Sequence, residues 1–330
     1  MQIDLRTVSI QPLRNTFDHL ARRFGDKPAS RYQEASYDIQ AAENLHYRPT
    51  WAPEQQLYDA ALTKIVMRDW YALKDPRQYY YNTYTLARAR QQDTVEANFD
   101  FVDSRGLADQ LPESLRSRAL ALLVPLRHAA WGANQHNSFI CGYGYGVAFT
   151  QPCMYHAMDN LGIAQYLSRL GLLLGGTEAL EAGKQAWLDG ATWQPLRRYV
   201  EDCLVVRDPF ELFIAQNLAL DGLLYPLIYE RIVDDGFAAE GGAAVAMLTR
   251  FMTDWFDETR KWVDAVVKVA AAESDANRVQ LQEWVRHWRD RAAAALLPVA
   301  EIALGAQADE AVSDQLAAFS ARVEKTGISL

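Results

Sequence analysis

From residue 55 onward, apolar residues recur every three or four positions, and nowhere do they alternate with polar ones over a strand-length stretch. That 3.6-residue period belongs to one face of an α-helix, and it confines the chain to an all-α architecture. It is clearest at Leu248, Phe251, Met252, Trp255, Trp262, Val263, Val266 and Val267, and again at Leu281, Trp284, Val285, Trp288, Ala292, Ala295 and Val299. With 330 residues, half of them hydrophobic, such helices can bury a core without disulfides or metals.

Glycine and proline divide the pattern. Asp75-Pro76 predicts an N-cap with proline in the first turn, opening a long helix from Arg77 to about Gln110. Leu111-Pro112-Glu113 starts a second, running toward Phe139, in which Pro125 is expected to produce a kink near Ala121 or Leu122. Beyond Gly142, Gly144 and Gly146, residues 147–174 are apolar around the whole circumference, as a buried central helix should be, and Gly175-Gly176-Thr177 ends it. A short helix from Glu178 to Leu188 follows, then a long one from about Gln194 to Val233 broken or bent at Asp208-Pro209. Gly241-Gly242 marks the next turn, before helices over 243–271, around 281–299 and near 310–325. This order suits two antiparallel pairs joined by a crossover, the layout of a ferritin-like (ribonucleotide reductase-like) helical bundle.

Residues 1–54 differ from the rest. Pro12, Pro28, Pro49 and Pro53 punctuate them, and Tyr32, Tyr37, Tyr47 and Trp51 occur without a helical period. We read an extended N-terminal arm preceding a helical domain over 55–330, with those four rings packing either on a partner subunit or on the chain's own bundle.

The net charge of −9, with 33 basic against 42 acidic residues and no basic stripe, argues against nucleic acid as a partner. No run reaches the roughly 20 apolar residues that span a bilayer, and Met1-Gln2-Ile3-Asp4 lacks the character of a signal peptide, so a cytoplasmic protein is expected. Cys141, Cys153 and Cys203 have neither disulfide nor zinc spacing and read as reduced, buried thiols.

A di-iron bundle needs a Glu from each of two helices and Glu-x-x-His from each of the other two, because i and i+3 share a face. Among six histidines only Glu43-Asn44-Leu45-His46 fits, and it lies in the arm just before Pro49. Two places resemble altered copies. Asp257-Glu258-Thr259-Arg260-Lys261 sets Glu258 between Trp255 and Trp262, but Lys261 has no lone pair to offer while protonated. There an Asp257–Lys261 pair on the wet face and a Glu258 held by a buried Arg or Lys are expected. Cys153-Met154-Tyr155-His156 keeps the histidine with a thiol in the carboxylate position, which predicts a core histidine with a hydrogen-bonded ring. The windows for lone carboxylates read Leu122-Leu123-Val124 and Leu223-Leu224-Tyr225, with Asp221 the only nearby acid. No catalytic, cofactor-binding or metal-ligating residue is assigned. Gly142-Tyr143-Gly144-Tyr145-Gly146 has no phosphate-loop lysine and reads as a helix connection, and Tyr79-Tyr80-Tyr81 reads as packing or interface.

Several segments together resemble the β subunit of the hydroxylase component in bacterial multicomponent monooxygenases of the phenol hydroxylase type. They are Arg23-Phe24-Gly25-Asp26-Lys27-Pro28-Ala29-Ser30-Arg31-Tyr32-Gln33-Glu34, Asp75-Pro76-Arg77-Gln78, Gln216-Asn217-Leu218-Ala219-Leu220-Asp221-Gly222-Leu223-Leu224 and Asn277-Arg278-Val279-Gln280-Leu281-Gln282-Glu283-Trp284. The resemblance implies an (αβγ)2 assembly in which a ferritin-like α subunit holds the di-iron centre and the β subunit, of the same fold, holds no cofactor. It further implies a reductase carrying FAD and [2Fe-2S], and a small regulatory protein. Asp257-Glu258-Thr259-Arg260-Lys261 resembles the α-type Asp-Glu-x-Arg-His with lysine replacing the imidazole. A non-catalytic scaffolding subunit for aromatic hydroxylation is therefore expected, with phenol and methylphenols as substrates of the complex and toluene-type arenes as the alternative. Two further readings remain open: a stand-alone di-metal or radical-carrying protein using Glu43, His46, Cys153, His156 and Glu258, and a helical module with an apolar ligand cavity.

Overall fold

The computed structural model describes residues 13–43 and 47–330, and among these there are helices and loops but no strand. Asn44, Leu45 and His46 lie outside the described residues, so the Glu43 to His46 motif is described only at Glu43, which is exposed.

The arm contains two short helices, α1 (Asp18–Phe24) and α2 (Arg31–Ser36), so it is not extended throughout. Helix α2 forms because Ser30 and Gln33 make a reciprocal capping box, satisfying two backbone N–H groups that the first turn leaves open. Tyr32 and Tyr37 are buried in a satellite cluster with Leu20, Tyr71 and Ala148. Trp51 packs on Phe139 and Tyr143, at centroid distances of 5.7 and 4.7 Å. Three of the four arm aromatics thus rest on the chain's own bundle. Tyr47 alone is exposed.

The first long helix, α3, spans Tyr81–Ser104, four residues later than Arg77. Two local facts delay it. The Asp75 carboxylate accepts from the backbone and side chain of Arg77 rather than capping a helix, and Gln78 sits at φ +53, outside the right-handed helical region. Helices α4 (Glu113–Tyr143) and α5 (Val147–Asp189) then form the bundle's most extensive pair, joined by a turn in which Gly146 takes φ +85. Pro125 stays inside α4 with helical geometry on both sides. Gly183 of α5 lies over that point, so close that an added Cβ would be 2.6 Å from Val124 and 3.5 Å from the Pro125 nitrogen. The proline nitrogen, which has no hydrogen to donate, is covered by a residue with no side chain. As the glycine run predicts, α5 is two helices, broken at Gly176 with φ +67.

Helix α6 (Gln194–Cys203) leads to a helical stretch that starts behind the Asp208 cap. It comprises α7 (Pro209–Phe213), a π-helical turn (Ile214–Leu220), α8 (Asp221–Tyr225) and a second π-helical stretch (Pro226–Gly242) broken at Gly241, where φ is +94. Helices α9 (Ala243–Glu273), α10 (Asp275–Leu304) and α11 (Ala308–Glu324) complete the bundle. The core runs along its axis, with Trp255, Trp262, Tyr199, Tyr229, Phe149, Phe210 and Phe213 fully enclosed. Contrary to the sequence expectation, two helical stretches hold windows long and apolar enough to cross a membrane. The window within Pro209–Glu273 is 94% buried against the rest of the chain and that within Asp275–Glu324 39%.

Candidate functional site

Two polar clusters lie within the bundle, each assembled from side chains far apart in sequence. In the first, Arg88 of α3 makes a bidentate pair with Asp159 of α5, at 2.7 and 2.8 Å. Through Nη1 and Nη2, Arg88 also donates to Glu258 of α9 at 3.1 and 3.0 Å. Arg77 donates to the same carboxylate at 3.2 Å while its Nε binds Asp75, which is wholly buried. Tyr84 Oη and Trp255 Nε1 each donate to Asp159 at 2.8 Å. Planar guanidinium forks can satisfy two carboxylates at once, which is how α3, α5 and α9 are fastened together. Burial, with Asp159 beside it, pushes the Tyr84 hydroxyl well above the ordinary tyrosine range, so it remains a donor.

The second cluster is deeper. His156 Nε2 of α5 lies 2.9 Å from Asp221 Oδ2 of α8, and Gln216 Nε2 donates to Asp221 Oδ1 at 2.8 Å. Gln216 Oε1 faces His136 Nδ1 of α4 at 2.7 Å, and His136 Nε2 faces the Val200 carbonyl at 3.0 Å. Beside them Asn137 and Asn217 exchange amide hydrogen bonds at 2.9 and 2.8 Å. Gln216 and Asp221 meet because the π-helical turn closes i to i+5, bringing residues five apart to one side. The His156 ring packs 4.8 Å from Trp255, so one indole touches both clusters.

Two histidines here titrate below the ordinary range. Burial pushes His136 down, against the pull of Gln216 and the Val200 carbonyl. His128, stacked on Trp187, is pushed to about 4 by burial, then by Arg127 and Lys184. A depressed histidine takes its proton more readily in the unfolded chain. The stability it contributes is therefore complete above pH ~6.5 and is lost as pH falls toward 4. For half-exposed His128 the loss should be about 1 kcal/mol after solvent screening. Denaturant unfolding of wild type and His128→Phe across pH 7 to 4 should show wild type losing stability relative to the variant. Parallel curves would contradict the assignment.

Of the sequence-derived positions, Cys153 and His156 are buried in the bundle interior. Cys153 Sγ donates to the Phe149 carbonyl, and burial pushes its thiol well above the usual range. Cys203 is likewise buried, but Cys141 is only partly so. Glu258 stands at the margin of the apolar face rather than within it, 30% exposed and held by two arginines. Lys261 is exposed and does not point to the bundle axis. Asp257 pairs with Arg260 at 2.7 Å, in place of the expected Lys261. Leu122, Leu123, Val124, Leu223, Leu224 and Tyr225 fill the two carboxylate windows with buried side chains. No three His, Cys, Asp or Glu side chains converge as a metal would require among the described residues, and the enclosed acids Asp75, Asp159 and Asp221 already accept from protein donors. This donor set does not fit a di-iron centre. Asp159, Arg88 and His136 were not singled out from sequence, and Arg77, Gln216 and Asn217 entered only as parts of longer segments with no role in a polar cluster. The available signal was polar side chains at core-facing phases of apolar helices.

A family model described as methane/phenol/alkene hydroxylase matches residues 48–274. The chain is 52% identical over 330 residues to the phenol 2-monooxygenase oxygenase component DmpL of Pseudomonas sp. strain CF600, covering 99% of this chain and 98% of that protein. It is 44% identical, with the same coverage, to the oxygenase component MhpL of Acinetobacter pittii strain PHEA-2. Among solved structures, xenon-pressurized phenol hydroxylase from Pseudomonas sp. OX1 matches with a TM-score of 0.92 at 45% identity over 99% of both chains. Toluene 4-monooxygenase matches with a TM-score of 0.74 at 20% identity, covering 94% of this chain and 100% of that one, a likeness of fold alone.

Proposed function

Because the chain belongs to the methane, phenol and alkene hydroxylase family, we propose that it is the non-catalytic β subunit of the oxygenase component of a phenol monooxygenase. In this reading it holds a di-iron α subunit in place. One observation supports the role above others: the enclosed acids Asp159 and Asp221, and Glu258 at the bundle's margin, are bound by Arg88, Arg77, His156 and Gln216. Recruiting them to a metal would strip buried arginines and histidines of their partners, which is strongly unfavourable. The chain's own residues then act by rigidity, fastening α3, α5, α8 and α9 into a body against which a partner can pack.

The same reading places the iron in the α subunit and FAD with [2Fe-2S] in a separate reductase. It assembles α, β and γ as (αβγ)2, adds a regulatory protein, and puts the complex in the cytoplasm with phenol or a methylphenol as substrate. It keeps the division into an arm up to residue 54 and a helical domain beyond, the arm held chiefly by Tyr32 and Tyr37. Metal analysis tests it. The full-length chain, incubated anaerobically with ferrous iron and desalted, should retain only background iron, while the assembly co-purified from co-expression with its neighbouring genes should carry iron and hydroxylate phenol. Stoichiometric iron on the isolated chain would overturn the proposal.

A further inference from the structure

Away from both clusters, a cleft of about 760 Å³ opens between α9, α11 and the start of the second π-helical stretch. Its rim carries Arg260, Lys261, Lys268, Arg322 and Lys325, against Glu230 and Asp264. In a chain of net charge −9 this is a local reversal of sign. Arg260 is engaged by Asp257 at 2.7 Å and Arg322 by Asp264 at 2.9 Å. Lys261, Lys268 and Lys325 are exposed and make no ion pair among the described residues. Burial, and then Asp257, raise the carboxyl of Glu230 above the usual carboxylate range.

The floor of the cleft is apolar. Pro226, Ala265 and Ala318 give it accessible apolar surface, above the buried Phe256 and Phe319, with the Arg322 guanidinium 5.6 Å from the Phe256 ring. Gly222 makes this seating possible, since a Cβ there would approach Phe319 to 2.9 Å and Arg322 to 3.0 Å. Lys261 and Lys268 are two helical turns apart, about 10 Å at 1.5 Å per residue. A single small anion does not bridge that span. Cations spaced along a trough with small apolar surfaces between them match an extended segment whose acidic and apolar side chains interleave.

We propose that this cleft is a docking groove for an acidic, apolar-interleaved segment of a partner protein, read by Lys261, Lys268 and Lys325. The inference is independent of which subunit holds iron. Fluorescence anisotropy of the full-length chain with a labelled peptide of alternating glutamate and leucine tests it. Binding should weaken with added salt, be absent for a lysine–leucine peptide and resist competition by inorganic phosphate. In the Lys261→Gln/Lys268→Gln/Lys325→Gln variant, with an unchanged melting curve, affinity should fall about tenfold. Equal affinity in the variant, displacement by phosphate alone, or a lysine-dependent preference for phosphatidylglycerol vesicles over the peptide would each overturn it.

Discussion

Replacing Arg88 with methionine is expected to lower the unfolding free energy by about 3–5 kcal/mol. The side chain is 16% exposed and Asp159 5%, so the substitution leaves a carboxylate in the bundle with both of its guanidinium hydrogen bonds gone. Tyr84 and Trp255 would still donate to Asp159, and Arg77 to Glu258, which places the loss toward the lower end of that range. Chemical denaturation followed by circular dichroism gives the value. A loss under about 1 kcal/mol, the range of exposed pairs, would mean that the cluster is a solvated surface network.

Asp221→Leu should cost about 2–4 kcal/mol, because it leaves the buried N–H groups of His156 and Gln216 without an acceptor. The informative comparison is His156→Phe/Asp221→Leu. It removes donor and acceptor together and leaves only the Gln216 N–H unmatched, so it should recover about 1–2 kcal/mol of the single-variant loss. If the two substitutions simply add, the contact between these side chains carries no coupling energy and the cluster is not a cooperative unit.

The helices and their interruptions were legible in the sequence because backbone constraints are local. Gly176 and Gly241 stand at positive φ where the pattern placed breaks, and the break placed at Asp208-Pro209 is there, with Asp208 capping the helix that follows. Asp75-Pro76 offered the same signal and did not deliver it, since Asp75 is committed to Arg77 and to the Tyr32 hydroxyl, which accepts from its backbone N–H. Pairings such as Arg88 with Glu258, 170 residues apart, leave no trace at short range. Asp221 was visible because a lone acid in an apolar run stands out. Its partners Gln216 and His136 were not, because the register that joins them is a property of the π-helical backbone rather than of composition.

That register makes the Ile214–Leu220 turn sensitive to length in a way that it is not sensitive to chemistry. Removing one residue from it would restore ordinary α-helical winding, because a π-turn absorbs one extra residue without turning the helix beyond it. Leu227, Ile228, Ile232 and Phe237, all buried, would keep their inward phase, while the contact of Gln216 with Asp221, five residues on, would be lost. Conservative substitutions within the turn disturb one contact at a time, whereas a single-codon deletion dissolves the polar junction in one step. The π-turn is a local detour in the winding, and the count of residues through it decides whether those two side chains can meet.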